Sequence, residues 1–264
     1  MYSVKEFVDQ MNNTIRLSGI PRRIVSLVPS QTELLFALGL GDRVVGITKF
    51  CIYPKECFRS KTKVGGTKNV DFEKVKALNP DLIIGNKEEN DRSNIEELAS
   101  IAPIWMSDIS NLAEALEMIQ KVGDLVGEST NSMQLIADIR FQFDDLREYV
   151  KVKPLDGKTP SVLYLIWKNP YLSAGKSTFI DDMISKCGMI NYVNNDRYPE
   201  VVFDENRAPD IVYLSSEPYP FKEKDIEEIK QIFPNAQVIL VDGEMFSWYG
   251  SRLIHSPKYF IGLL

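Results

Sequence analysis

Hydrophobic positions along the chain follow two patterns, short β-branched runs and longer stretches with helical spacing. Residues 7–18 place an Asn-Asn turn between two semi-apolar stretches, which predicts a small hairpin. Arg23 to Val28 then reads as a buried parallel strand. Pro29 ends it, and Ser30-Gln31-Thr32-Glu33 reads as a capping box, with Ser30 at the N-cap and Glu33 at N3. The helix so begun runs through Leu34, Leu35 and Leu38 to Gly39 or Gly41. Arg43 to Thr48 predicts the next strand, Phe72 to Leu78 a helix, and Leu82 to Gly85 a strand entered through Asn79-Pro80-Asp81. Asn94 to Ser100 and Ile104 to Met106 add one more helix and strand. Strand and helix in alternation predict an α/β layer with a parallel sheet.

From Asn111 to Val152 the pattern becomes almost purely helical, with Gly127 between two apolar stripes. The second stripe holds Leu135, Ile139, Phe143, Leu146 and Val150 and predicts a helix over about 128–150. About 23 residues at 1.5 Å each span roughly 34 Å, the width of a small domain, which suits a rigid connector or a bundle helix. After a loop at 154–160 the alternation resumes: strand 161–167, helix 179–187, strand 210–214, helix 224–233 and strand 238–241. The organisation expected is an α/β lobe at 1–110, a helical connector at 111–154 and a second α/β lobe at 155–264. NPDLIIG at 79–85 is echoed by APDIVYL at 208–214, a Pro-Asp step into a buried strand in each half.

Composition narrows the function classes. Thirty-one basic against 37 acidic residues leave a net charge of -6, which argues against a nucleic-acid partner. No run of 18 apolar residues predicts a membrane span. The stretch MYSVKEFVDQMNNTIRL lacks a basic start and an apolar core, so it predicts a cytoplasmic location for a full-length chain and a periplasmic one if a signal was removed. Three cysteines, Cys51, Cys57 and Cys187, have neither zinc-knuckle nor redox spacing. A single histidine, His255, removes most metalloenzyme and triad options, and there is no G-x-S-x-G elbow. Glu88, Glu89 and Glu217 are loop carboxylates better read as solvated than as a glycosidase pair. The expectation is a binding protein, not an enzyme, with no catalytic residue and no protein-held metal.

In open α/β sheets, ligands bind beyond the carboxyl ends of the strands. Here those loops carry Phe50, Tyr53, Trp167, Tyr171, Tyr219, Phe221, Trp248 and Tyr249 among small and polar residues. Such aromatics suit a flat, partly apolar ligand. Packing back onto the core is the competing role for each. Ser30, Lys49 and Ser216 offer polar contacts for a ligand rim.

RRIVSLVPSQTELLFALG, VGITKFCIYP and VGGTKNVDFEKVKALNPDLIIGNKEEN, with NPYLSAGKSTFIDDMI, SSEPYPF and DGEMFSWYGSR, resemble one family. It is that of the substrate-binding proteins of cobalamin, haem and ferric-siderophore ABC importers, the helical-backbone metal receptors, and the cobalamin-binding branch is nearest. The resemblance implies two Rossmann-like lobes joined by one long helix, as in class III periplasmic binding proteins, with a ligand cleft between the lobes. It implies aromatic ligand contacts at Tyr53, Trp167 and Trp248, with Phe50, Tyr171 and Tyr249 adjacent. It also implies an acidic residue on each lobe that docks on a membrane permease: Glu73 in the first, Asp204 or Glu205 in the second. Thr67 stands where the cobalamin branch carries a tryptophan. The ligand expected is a corrinoid that needs no protein ligation of its metal. Haem with Tyr53 as ligand is the runner-up, followed by a ferric siderophore. A chelatase-like enzyme acting on a tetrapyrrole is the alternative of another class. The chain is expected to be a monomer with no nucleic-acid partner and no membrane insertion.

Overall fold

The structure is a computed structural model that describes residues 4–152, 158–203 and 207–264, and only the backbone of Cys57. It divides into two units, one of Met1–Ile109, Ala113–Asp138 and Tyr249–Arg252, the other of Ser110–Leu112, Ile139–Trp248 and Leu253–Leu264.

In the first unit the Asn-Asn signal becomes an antiparallel hairpin of β1 (Lys5–Val8) and β2 (Thr14–Leu17), with Asn12 at φ 63° in its turn. Asn tolerates that left-handed conformation better than most residues. A parallel five-stranded sheet follows: β3 (Ile24–Ser26), β4 (Val44–Ile47), β5 (Thr62–Lys63), β6 (Leu82–Asn86) and β7 (Ile104–Ser107). Its spatial order is β5-β4-β3-β6-β7. Between the strands lie α1 (Pro29–Ala37), α2 (Lys55–Ser60), α3 (Phe72–Ala77) and α4 (Arg92–Leu98). All three β3 residues are buried because helices cover both faces of a parallel sheet. Val25, Leu27, Val75, Ile83 and Leu98 form one apolar cluster of this unit.

The capping-box expectation fails. The N-cap of α1 is Val28, without a side-chain cap, and Pro29 opens the helix. Proline suits that first position because its fixed φ is already helical and its missing N–H would have had no partner there. Ser30 is therefore inside the first turn, and Glu33 is turned to Arg252, whose Nη2 and Nε reach it at 2.8 and 3.1 Å. The helix does end as expected, with Gly39 at φ 83° after the C-cap.

Helix α5 (Leu112–Val126) and the 24-residue α6 (Ser129–Val152) come next, the latter beginning in the first unit and ending in the second. The second unit holds β8 (Ser161–Trp167), β9 (Leu172–Ser173), β10 (Ile190–Asn191), β11 (Ile211–Ser215) and β12 (Gln237–Val241). Its parallel order is β10-β8-β11-β12, with β9 antiparallel on β8. Helices α7 (Phe179–Lys186), α8 (Glu223–Ile232), α9 (Gly243–Ser247) and α10 (Ser256–Leu263) complete it. Tyr164, Tyr213, Phe246 and Phe260 are fully buried there, with Phe246 5.1 Å from the Tyr164 ring and 4.5 Å from Phe260. Each such burial contributes about 2–3 kcal/mol, which pins α9 and α10 to the sheet.

The sequence echo has a physical counterpart. Asp81 accepts from the Arg22 and Arg23 amides at 2.7 and 2.8 Å, at the entry to β3, the neighbour of β6. Asp210 accepts from the Ser161 amide and hydroxyl, both at 2.8 Å, at the entry to β8, the neighbour of β11. In each unit a Pro-Asp step thus ties the start of its own strand to that of the central one.

Candidate functional site

Chain order reverses direction at β3 in the first sheet and at β8 in the second, so the loops leaving those strands are the expected ligand positions of each unit.

Trp167, the last residue of β8, is 41% exposed, with its ring 5.8 Å from Tyr219 in an edge contact. Tyr219 in turn packs at 4.8 Å on Phe221. Behind Trp167 lies a charged network. The Lys168 ammonium bridges Asp225 at 2.7 Å and Glu228 at 2.6 Å, and the Tyr171 hydroxyl donates to the other Glu228 oxygen at 2.5 Å. Asp225 and then Glu228 hold the Lys168 pKa above its ordinary value. Burial, and next the bond to Glu228, push the Tyr171 phenol up. Tyr171 is therefore a neutral phenol whose proton is already committed.

Beyond β11 and β12 the loops are stitched together. Ser216, at an exposed position, accepts from the Gly243 amide at 2.9 Å. Glu217 accepts on one oxygen from Ser247 Oγ at 2.6 Å and from Trp248 Nε1 at 3.1 Å. Trp248 is only 7% exposed, so most of its indole contributes to packing. The two tryptophans thus differ: Trp167 presents a ring to solvent, and Trp248 is mostly enclosed.

In the first unit, Ser30 is buried in the opening turn of α1. Lys49 and Phe50 follow β4, exposed, with the Lys49 ammonium 5.0 Å from the Phe50 ring centre. Tyr53 lies under the Arg252 guanidinium at 4.7 Å, and Arg252 is anchored by Glu33. Tyr249, buried, belongs to this unit. Cys51 is buried between Thr32 and Thr48, each hydroxyl 3.1 Å from its sulfur. Burial pushes its thiol pKa up, over the opposing effect of those two hydrogen bonds. Thr67 gives its carbonyl to Asn90 Nδ2 at 2.9 Å. Gln31 donates to Ser107 Oγ, while its buried Oε1 has no hydrogen-bond partner among the described residues.

Within one unit, then, Trp167 and Tyr171 lie at and after the end of β8, Ser216 after β11 and Trp248 after β12, and within the other Lys49, Phe50 and Tyr53 follow β4. Glu73 is exposed in the first turn of α3. Asp204 and Glu205 lie outside the described residues. Arg252 is a residue that sequence reasoning does not single out, and Glu217, read there as a solvated loop carboxylate, instead accepts from Ser247 and Trp248. An arginine two residues beyond Gly250 carries no local sign that it stacks on a tyrosine 199 positions earlier.

A family model described as periplasmic binding protein matches residues 24–237. The chain belongs to that family. It is a binding protein of the class III periplasmic-binding-protein fold, not an enzyme. It is 33% identical over 182 residues to the ABC transporter substrate-binding lipoprotein YvrC of Bacillus subtilis, a match covering 67% of this chain and 57% of that protein. The chain thus spans a little over half the length of that relative. It is 23% identical over 242 residues to a vitamin B12-binding protein of Pectobacterium atrosepticum, covering 89% and 86% of the two chains. A periplasmic haem-binding protein from Pseudomonas aeruginosa has the same fold, with a TM-score of 0.81 at 20% identity over 92% of each chain. Among the described residues, no helix is long and apolar enough to cross a membrane.

Proposed function

We propose that this protein is the metal-chelate receptor of an ABC importer, that it works outside the cytoplasm, and that its chelate is a corrinoid. The observation that carries the choice of chelate is the state of two side chains able to ligate iron at the strand exits, which leaves Tyr53 as the one a haem would use. Tyr171 has committed its proton to Glu228, and Cys51 is a buried thiol held by two threonines. Haem is usually held by an axial His, Cys, Met or Tyr. A corrinoid brings its own lower ligand and needs an aromatic and hydrogen-bonding surface. Trp167 and Ser216 offer such groups in the second unit, and Lys49 and Phe50 offer them in the first. Relatives named as vitamin B12-binding proteins support the same reading. Relatives named as lipoprotein or periplasmic proteins support a place outside the cytoplasm and lend nothing to the cytoplasmic expectation. The exposed carboxylate of Glu73, at the start of α3, is the docking point we assign toward the permease.

Calorimetric titration with cyanocobalamin tests the reading. Binding at micromolar affinity or better is expected, about -8 kcal/mol. Trp167→Ala is expected to weaken it about tenfold, through loss of one exposed aromatic contact. No heat from cobalamin, together with a sharp haemin Soret shift that Tyr53→Phe abolishes, would replace the corrinoid by haem.

A further inference from the structure

Glu217 sits in the loop leaving β11, one residue past Ser216, and its carboxylate reaches into the segment that follows β12. One oxygen receives both the Ser247 hydroxyl at 2.6 Å and the Trp248 indole N–H at 3.1 Å. The loop carrying it is itself locked: Ser215 Oγ donates to the Glu217 carbonyl at 2.6 Å, and the Gly243 amide donates to Ser216 Oγ at 2.9 Å. A side chain at 243 would collide with this arrangement, since a Cβ there lies 2.3 Å from Ser215 Oγ and 2.7 Å from Glu217 Cγ. Two exit loops are therefore joined through one carboxylate, and an indole has its only polar atom oriented by it. Charge-assisted hydrogen bonds of this kind are about twice as strong as neutral ones, so the indole ring is held in one plane.

We propose that Glu217 is a positioning residue for ligand binding in the second unit, acting by fixing the indole plane of Trp248. This rests on the chelate-receptor reading above. Glu217 need not touch the chelate. Removing it leaves the indole N–H and the Ser247 hydroxyl without their shared acceptor, so the link between the two exit loops is lost and their surface must be ordered anew at each binding event. Glutamine at 217 keeps a carbonyl oxygen that accepts from both donors, so it preserves the geometry without the charge.

The test combines a readout that needs no ligand with one that does. In nitrogen–proton correlation spectra, the Trp248 indole resonance, identified by its loss in Trp248→Phe, should move upfield and exchange faster in Glu217→Ala. It should move much less in Glu217→Gln. Affinity for cyanocobalamin, or for haemin if that is the chelate taken up, should fall about tenfold in Glu217→Ala and less than threefold in Glu217→Gln. In the double variant Glu217→Ala with Trp248→Phe the loss should be no greater than the larger single loss, because both changes remove one link. An indole resonance unmoved in Glu217→Ala overturns the proposal, and so do fully additive losses or wild-type affinity in that variant. A wild-type chain that takes up neither probe overturns the chelate reading and, with it, the binding role of Glu217. The resonance would then still report whether the link to Trp248 exists.

Discussion

Lys168→Met tests the electrostatics of the second unit most directly. The lysine side chain is 13% exposed, and its ammonium faces the side chains of Asp225, 1% exposed, and Glu228, 46% exposed. Methionine retains the stem and removes the charge. Breaking a fully buried pair by removing one partner costs about 3–5 kcal/mol, because the other charge stays buried without compensation. Here Asp225 keeps the Lys222 amide at 2.9 Å, and the Glu228 arm, half open to water, contributes about 0–1 kcal/mol. The net expectation is about 2–3 kcal/mol. At about 2–4 °C per kcal/mol for a chain of this size, the melting temperature at pH 7 should fall by about 5–10 °C. The pH dependence gives a second check. Burial alone would raise the Asp225 carboxyl, but Lys168 and the Lys222 amide outweigh it and hold the folded pKa low. A lowered carboxylate contributes stability that is present above its unfolded pKa, about 4, and is lost as pH falls through the folded value. The gap between wild type and variant should thus be full at pH 7 and shrink in acid, where protonation relieves the uncompensated charge of the variant. Circular-dichroism melts from pH 7 down to pH 3 measure both. A loss below about 1 kcal/mol, or one that does not change with pH, would refute the reasoning.

Three further outcomes follow from single residues. Trp248→Ala should cost about 3 kcal/mol or more in urea unfolding, since a largely buried tryptophan leaves a cavity; a variant as stable as wild type would place the ring outside the packing. Gly243→Ala should destabilise by about 1–3 kcal/mol and weaken chelate binding in parallel, because its Cβ meets Ser215 and Glu217 at 2.3 and 2.7 Å; unfolding and calorimetry on the same preparation check this. Asp210 is held at about 2 by the Lys158 ammonium, then by the Ser161 amide and hydroxyl, against an ordinary 3.8. Its contribution is therefore present above about pH 4 and lost between pH 4 and 2, so the stability difference between wild type and Asp210→Asn should close across that window in acid titration.

The alternating pattern of the chain by itself determined the α/β class, the position of β8, the hairpin at the start and the helices after residue 111. Those signals are local: a buried parallel strand is a continuous apolar run, and a long helix repeats its stripe often enough to be read. The Pro-Asp echo was legible too, because Asp81 and Asp210 do the same hydrogen-bonding work at two strand entries. The short elements α2, β5, β9, β10 and α9 were not legible, since a segment of two to six residues without a continuous apolar run carries too little pattern to read. The start of α1 was misread for a related reason: a capping box and a proline at the first helical position are both local options, and packing and the Glu33–Arg252 pair select the second. At the candidate site, sequence supplied the aromatics on strand exits but not their fates. Whether Trp167 is presented and Trp248 enclosed, whether the Tyr171 phenol is spent on Glu228, and whether Glu217 is a solvated carboxylate or the anchor of an indole depend on partners 30 to 60 residues away. Tertiary structure alone decides those, because hydrogen bonds and burial are properties of pairs, and one strand's exit loop holds no record of what the next strand brings beside it.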